Sequence, residues 1–228
     1  MRYPAPMDIR SGGDSVQPAC YNNSVASSGT PDNDYWNGRP ERLAGLDGKV
    51  AIATIMGHPP LAALLRRWCL AQATRGETPC RADLEPYDLP RILLPYMFIY
   101  AQEGDRFRCR LYGSKLRDFF GEDSTGRYLD EMVKPDAREK RNSLFRKPLE
   151  SGRPLFYRGF LVAPGVEWRH FNRLLLPVAT QPGASPTQIM GALRIIPPPP
   201  GLRLDGNDPD GMLQHCLLQE DDCRLLLD

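Results

Sequence analysis

Proline sets the limits on this chain. It supplies 23 of the 228 residues, about twice the usual ~5% share. Proline fixes φ and has no N–H to donate, so inside a helix it removes a hydrogen bond and clashes with the preceding turn. Many of the prolines stand at the ends of apolar runs, as punctuation, and four stand together at Pro197–Pro200. Long uninterrupted helices are therefore disfavoured. A fold of short elements joined by tight turns remains.

Between the prolines, the apolar pattern changes along the chain. Residues 1–57 are rich in Ser, Asn, Asp, Gly and Pro and poor in large apolar residues, which marks a mostly disordered segment. Its apolar run, Lys49–Met56, is expected to pack on the domain as a strand or turn. Pro59 and Pro60 then suit a helix start. Leu61, Leu64, Leu65 and Trp68 follow the i, i+3, i+4, i+7 spacing of a buried helical face, and Gly76 offers a stop. One amphipathic helix is predicted over 58–75. Beyond a proline-punctuated connector, Ile92–Tyr100 and Arg106–Tyr112 read as a β-hairpin turning at Gly104. Alternation in the second strand puts Phe107, Cys109 and Leu111 on one face and Arg108, Arg110 and Tyr112 on the other. Short helical pieces and a longer helix over 134–147 come next. Strands are expected at Leu155–Val162, Trp168–Val178 and Gln188–Ile196, before the proline run stiffens the exit. Met212–Leu227 reads as a short helix. This order predicts an α+β domain: a five-stranded antiparallel sheet, helices over one face, and an amphipathic N-terminal flanking helix. The domain occupies 58–197, between the segment 1–57 and a proline-rich, acidic tail over 198–228.

Charge and cysteine content narrow the classes of function. The net charge of +1 gives no bulk field for nucleic acid or an anionic membrane, and no DNA-recognition motif accompanies the bases. From Gly201 onward, seven acids face two arginines, so that tail carries −5 and the remainder +6. The basic helix, with Lys134, Arg138, Lys140, Arg141, Arg146 and Lys147, reads first as a solvated face and second as a docking face for an acidic partner or for the tail. No signal peptide and no apolar run of ~18 residues are found, which gives an expectation of a cytoplasmic protein without membrane insertion. The six cysteines have no metal-type spacing and are expected to be thiols.

The runs Asp88–Tyr100, Phe107–Ser114 and Phe120–Leu129 resemble those of a bacterial PAS-domain family. So do a Trp-bearing helix (Trp68) before an Arg-x-Asp connector (Arg81, Asp83) and a late strand with a Leu174–Pro177 core. The resemblance spans roughly His58–Ile196. It implies a PAS fold and a sensory or protein-interaction role in signalling. It also implies a homodimer through flanking helices, with Leu61, Leu64, Leu65 and Trp68 as interface candidates. Residues 201–228 are too few for a kinase or cyclase, so the output is expected in a partner signalling protein. It supplies no cofactor, because PAS domains bind haem, flavin, small metabolites or nothing.

The cofactor therefore stays unknown, and the residues argue against haem and flavin. The long helix carries no histidine, and no Asn-Cys pair occurs. Phosphate loops, nucleophile elbows and metalloprotease motifs are also missing, which argues against an enzyme with a known signature. The rival class is a small isomerase or dehydratase on a cavity-bearing fold, for which Asp123 with His170 is the pair to test. A purely structural adaptor is the third. Candidate cavity residues are Phe98, Tyr100, Tyr112, Phe119, Tyr128, Phe145, Phe160 and His170; the alternative is that most of them are core. Arg110 joins them because it lies mid-strand among apolar residues, where a buried charge needs a partner. That partner is an internal acid, Asp83 or Asp123, or an anionic ligand.

Overall fold

The structure is a computed structural model and describes residues 42–133, 135, 138–163, 166–196, 212–224 and 226. For 42–44, 160–163, 166–170, 212 and 213 it describes the backbone alone. Most of the expected disordered head, the run Pro197–Pro200 and the acidic stretch 201–211 lie outside the described residues.

The described residues begin with a short strand, β1 (Arg42–Gly45), and two helices, α1 (Gly48–Met56) and α2 (Pro59–Arg75). The apolar run at Lys49–Met56 is thus a helix and not a strand or turn. Asp47 decides this. Its carboxylate accepts from the N–H groups of Lys49 (2.9 Å) and Val50 (3.2 Å), capping the helix and outweighing the β-branched content of the run. Ala51 and Ile55, one turn apart, are its buried residues. The chain bends by 117° at Gly57–His58, where Pro59 and Pro60 open α2. Leu61, Leu64, Leu65 and Trp68 are all fully buried, and Gly76 ends the helix in the left-handed region (φ 72°). Trp68 donates its indole N–H to the Pro177 carbonyl at 2.8 Å. No single helix among the described residues is long and apolar enough to cross a membrane.

The hairpin strands are β2 (Met97–Glu103) and β3 (Arg106–Tyr112), with Gly104 at φ 60° in the turn. The strand starts later than expected, because Pro95 sits in a 3₁₀ turn over Leu94–Tyr96. Next come α3 (Ser114–Phe120) and α4 (Arg138–Ser151), the latter running through Pro148 rather than stopping there. The strands β4 (Leu155–Ala163), β5 (Val166–Ala179) and β6 (Pro186–Ile196) follow. The last described elements are β7 (Met212–Leu217) and α5 (Glu220–Arg224).

The sheet has seven strands in the order β1-β7-β4-β5-β6-β2-β3. Six run mutually antiparallel, and β1 joins β7 in parallel. The five expected strands are present. The sixth antiparallel strand is β7, where a helix was expected. Its register with β4 sets Cys216 beside Phe156 and Leu217 beside Leu155, so successive residues reach opposite faces. An unpaired β4 edge recruits this segment more strongly than its helical spacing can resist.

Helices cover both faces of the sheet, not one. Met97, Ile99, Leu174, Leu176 and Met190 pack under α1 and α2, with Leu218 and Cys223 closing the same core. Phe98, Tyr100, Phe171, Leu175 and Ile189 pack on the other face with Leu116 of α3 and Leu144 and Phe145 of α4. Strands buried on both faces explain the near-continuous apolar runs of the sequence. They also correct the interface expectation: Leu61, Leu64, Leu65 and Trp68 are sealed inside the chain against the sheet, leaving none of them for a second copy. Cys69, Cys80, Cys109, Cys216 and Cys223 are thiols.

Candidate functional site

The layer between the sheet and α3–α4 brings some of the candidate residues together. Phe98 and Tyr100 project from β2, and Phe145 meets them from α4. Ring centroids lie 5.6 Å apart for Phe98–Tyr100 and 5.2 Å for Tyr100–Phe145, and Phe107 adds a contact to Phe145 at 5.5 Å. These four rings are buried and pack on one another as core. Burial pushes the Tyr100 phenol well above its ordinary pKa, and the neighbouring Cys109 acts in the same direction. Gly191 makes room for the layer. A Cβ there would stand 2.4 Å from the Phe98 ring and 2.5 Å from the Leu174 carbonyl, so only glycine lets Phe98 lie across β6.

A β-bulge rearranges β3. Tyr100 pairs with Cys109 and Ile99 with Leu111, so Arg110 is the extra residue. The expected alternation ends there. Tyr112 pairs with Phe98 and turns to the face of Phe107, while Leu111 packs on the opposite core. Burial raises the Tyr112 phenol to about 12, against the pull of Arg173. Arg110 is exposed and pairs with Glu103, so it is neither buried nor bound to Asp83 or Asp123. Asp83 holds Arg75 and the Cys80 N–H (2.8 Å), and Asp123 holds Thr125 Oγ1 (2.7 Å) and Arg117 (3.3 Å).

Tyr128 belongs to the same outer network as Arg110. Its hydroxyl donates to Glu103 at 2.8 Å, and the Arg106 guanidinium lies 3.7 Å over its ring. Phe119 is half-buried and packs edge-on to Phe120 at 4.9 Å. The side chains of Phe160 and His170 lie outside those described, as does Lys134 of the basic helix. Of the other histidines, His58 Nε2 meets Asn172 Nδ2 at 2.7 Å, and His215 Nε2 meets Lys147 Nζ at 2.9 Å. Among the described residues no cluster of His, Cys, Asp and Glu is arranged to hold a metal ion.

Arg173, on the central strand β5, is half-buried and reaches into this layer. Its Nη1 donates to the Tyr157 hydroxyl at 2.6 Å. Its guanidinium lies 5.6 Å from the Phe98 ring, 5.4 Å from Tyr157 and 5.6 Å from Phe171. Its Nε is buried with no acceptor, and among the described residues no carboxylate comes within ion-pairing distance. Arg141 of α4 also donates to the Tyr157 hydroxyl, at 3.3 Å. The neighbouring Asn142 is buried with an unpaired Oδ1. The sequence did carry a signal for Arg173: a charge within the run Phe171–Val178, apolar but for Asn172. The charge expected inside the sheet at Arg110 of β3 is found two strands later, at Arg173 of β5.

An open cleft of about 380 Å³ lies where β1, β7 and α5 meet. Arg153 lines it but directs Nε and Nη2 to the Leu218 and Leu217 carbonyls at 3.0 and 3.2 Å.

The family model of the PAS domain matches this chain over residues 56–194. A search of curated proteins found no match. Among solved structures, the chain is similar to the PAS domain of a protein from Colwellia psychrerythraea. The identity is 12%, with 51% of this chain and 93% of that one covered, at a TM-score of 0.38. It is similar to the PAS domain of the histidine kinase ThkA, at 20% identity, 43% and 94% coverage and a TM-score of 0.30. It is also similar to RsLOV, at 15% identity, 47% coverage of this chain and a TM-score of 0.38, and it spans 64% of that chain, less than two thirds.

Proposed function

The chain belongs to the PAS domain family, and from that premise we propose that it is a sensory and protein-interaction module of signalling. A change at the polar cluster under α4 alters the helices on the far side of the sheet. One observation carries this reading. Adjacent residues of β5 serve opposite layers: Arg173 reaches Tyr157 beneath α4, while Asn172 reaches His58 at the elbow between α1 and α2. A strand cannot shift one of these residues without the other, because successive side chains point to opposite faces. A ligand or partner with different affinity for two positions of the helix layer would bias the α1–α2 elbow. A partner signalling protein reads this surface in the cytoplasm.

Hydrogen exchange tests the coupling. Arg173→Met alters the α4 side of β5 and is expected to change amide protection in α1 and α2, which Arg173 does not touch. Changes confined to α3, α4 and β4–β6 would remove the sensory reading and leave an adaptor.

A further inference from the structure

We propose that the Arg173–Tyr157–Arg141 cluster binds a small organic carboxylate with an apolar body. This deepens the sensory reading and rests on it for its consequence, though not for its chemistry.

The first argument is the charge itself. A cation placed among aromatic rings on a central strand is unfavourable unless paired, and an apolar residue of similar volume there would be neutral or stabilising. The second argument is convergence. Two guanidinium groups donate to one phenol oxygen, at 2.6 and 3.3 Å. An anion at this point meets donors from both guanidinium groups.

The third argument is geometric, and the protein supplies its own reference. Arg106 grips Asp130 side-on, with Nε at 2.9 Å from one carboxylate oxygen and Nη2 at 2.7 Å from the other. Arg173 engages Tyr157 through Nη1, so its Nε–Nη2 edge, the one Arg106 uses, meets no acceptor among the described residues. The rings of Phe98, Tyr157 and Phe171 hold the guanidinium by cation–π contact. A planar fork held this way matches a carboxylate bidentately. The surroundings favour a carboxylate over phosphate, since they offer apolar rings to an organic body and few further donors to a second charge. Nε is sealed from solvent, so a carboxylate that reaches it displaces a group packed over it. The helix layer moves as the site fills.

The test uses the whole chain and a panel of acetate, butyrate, hexanoate, benzoate and phenylacetate. Sodium chloride of equal ionic strength is the control and inorganic phosphate the comparator. Thermal unfolding and titration calorimetry are read together. At least one carboxylate is expected to raise Tm saturably in the native protein. Arg173→Met is expected to fold and lose that response, and Arg141→Gln and Arg173→Lys to bind about tenfold more weakly. The proposal is overturned if no carboxylate exceeds chloride, if the response persists in Arg173→Met, or if phosphate exceeds every carboxylate. An Arg173→Met protein that cannot fold also overturns it, since the cation is then structural. Binding without altered exchange in α1–α2 keeps the site and removes the coupling; coupling without binding does the reverse.

Discussion

Single residues set the limits of both layers. Gly191 is the tightest position, with Phe98 and the Leu174 carbonyl inside contact distance of any added Cβ. Gly191→Ala is expected to cost about 1–3 kcal/mol in urea unfolding, with a change in near-UV dichroism as Phe98 and the rings around it tilt. His58 gives the opposite layer a pH dependence. Burial, and then the charge of Arg194, hold its pKa below the ordinary 6.5. The unfolded chain therefore takes up the proton first as pH falls. The contribution is complete above 6.5 and is lost as pH drops through that value toward the lower folded pKa. Unfolding free energies measured between about pH 7.5 and about pH 5.5 should fall in the native protein. They should fall less in His58→Gln, which keeps an acceptor for Asn172 without titrating there. Equal slopes would show that His58 does not carry the dependence.

At the scale of elements, the legible parts were those where local signals agreed. The paired prolines, the four-residue apolar face and the glycine stop of α2 all point one way, and the helix is present with those limits. The unread parts were decided by partners. β7 is a strand because β4 has an edge to fill, and no property of Met212–Leu217 announces that edge. The bulge at Arg110 depends on register with β2, so it was invisible to alternation within β3 and moved the expected buried charge to the wrong strand. Proline also has exceptions set by context. Pro177 lies in a central strand, yet β4 has already ended opposite Leu175, so one side of β5 has no strand neighbour there. A chain stopped after Ile196 would lose β7, Leu218 and Cys223 together. Its Tm should fall, and the bared β4 edge should produce self-association visible by light scattering. A monomer of unchanged stability would contradict this account of β7.

For the whole molecule, one sheet serves two cores. The odd residues of β5, Phe171 and Leu175, belong to one, and the even residues, Leu174 and Leu176, to the other. Neither core can be removed while the strand stands. Amide exchange in α2 and α4 should therefore converge on one global opening free energy, and clearly different values would mean that the layers open separately. The same sheet brings the first and last described strands side by side. β1 and β7 are parallel, with Arg42 level with Met212 and Gly45 level with His215. A tether pulling on the segment before β1 and another on the segment after β7 would draw these neighbours along each other in opposite directions. The ladder would be loaded in shear, all of its rungs at once, rather than peeled one rung at a time. Its resistance to such a load should exceed what a four-residue strand offers when unzipped from one end.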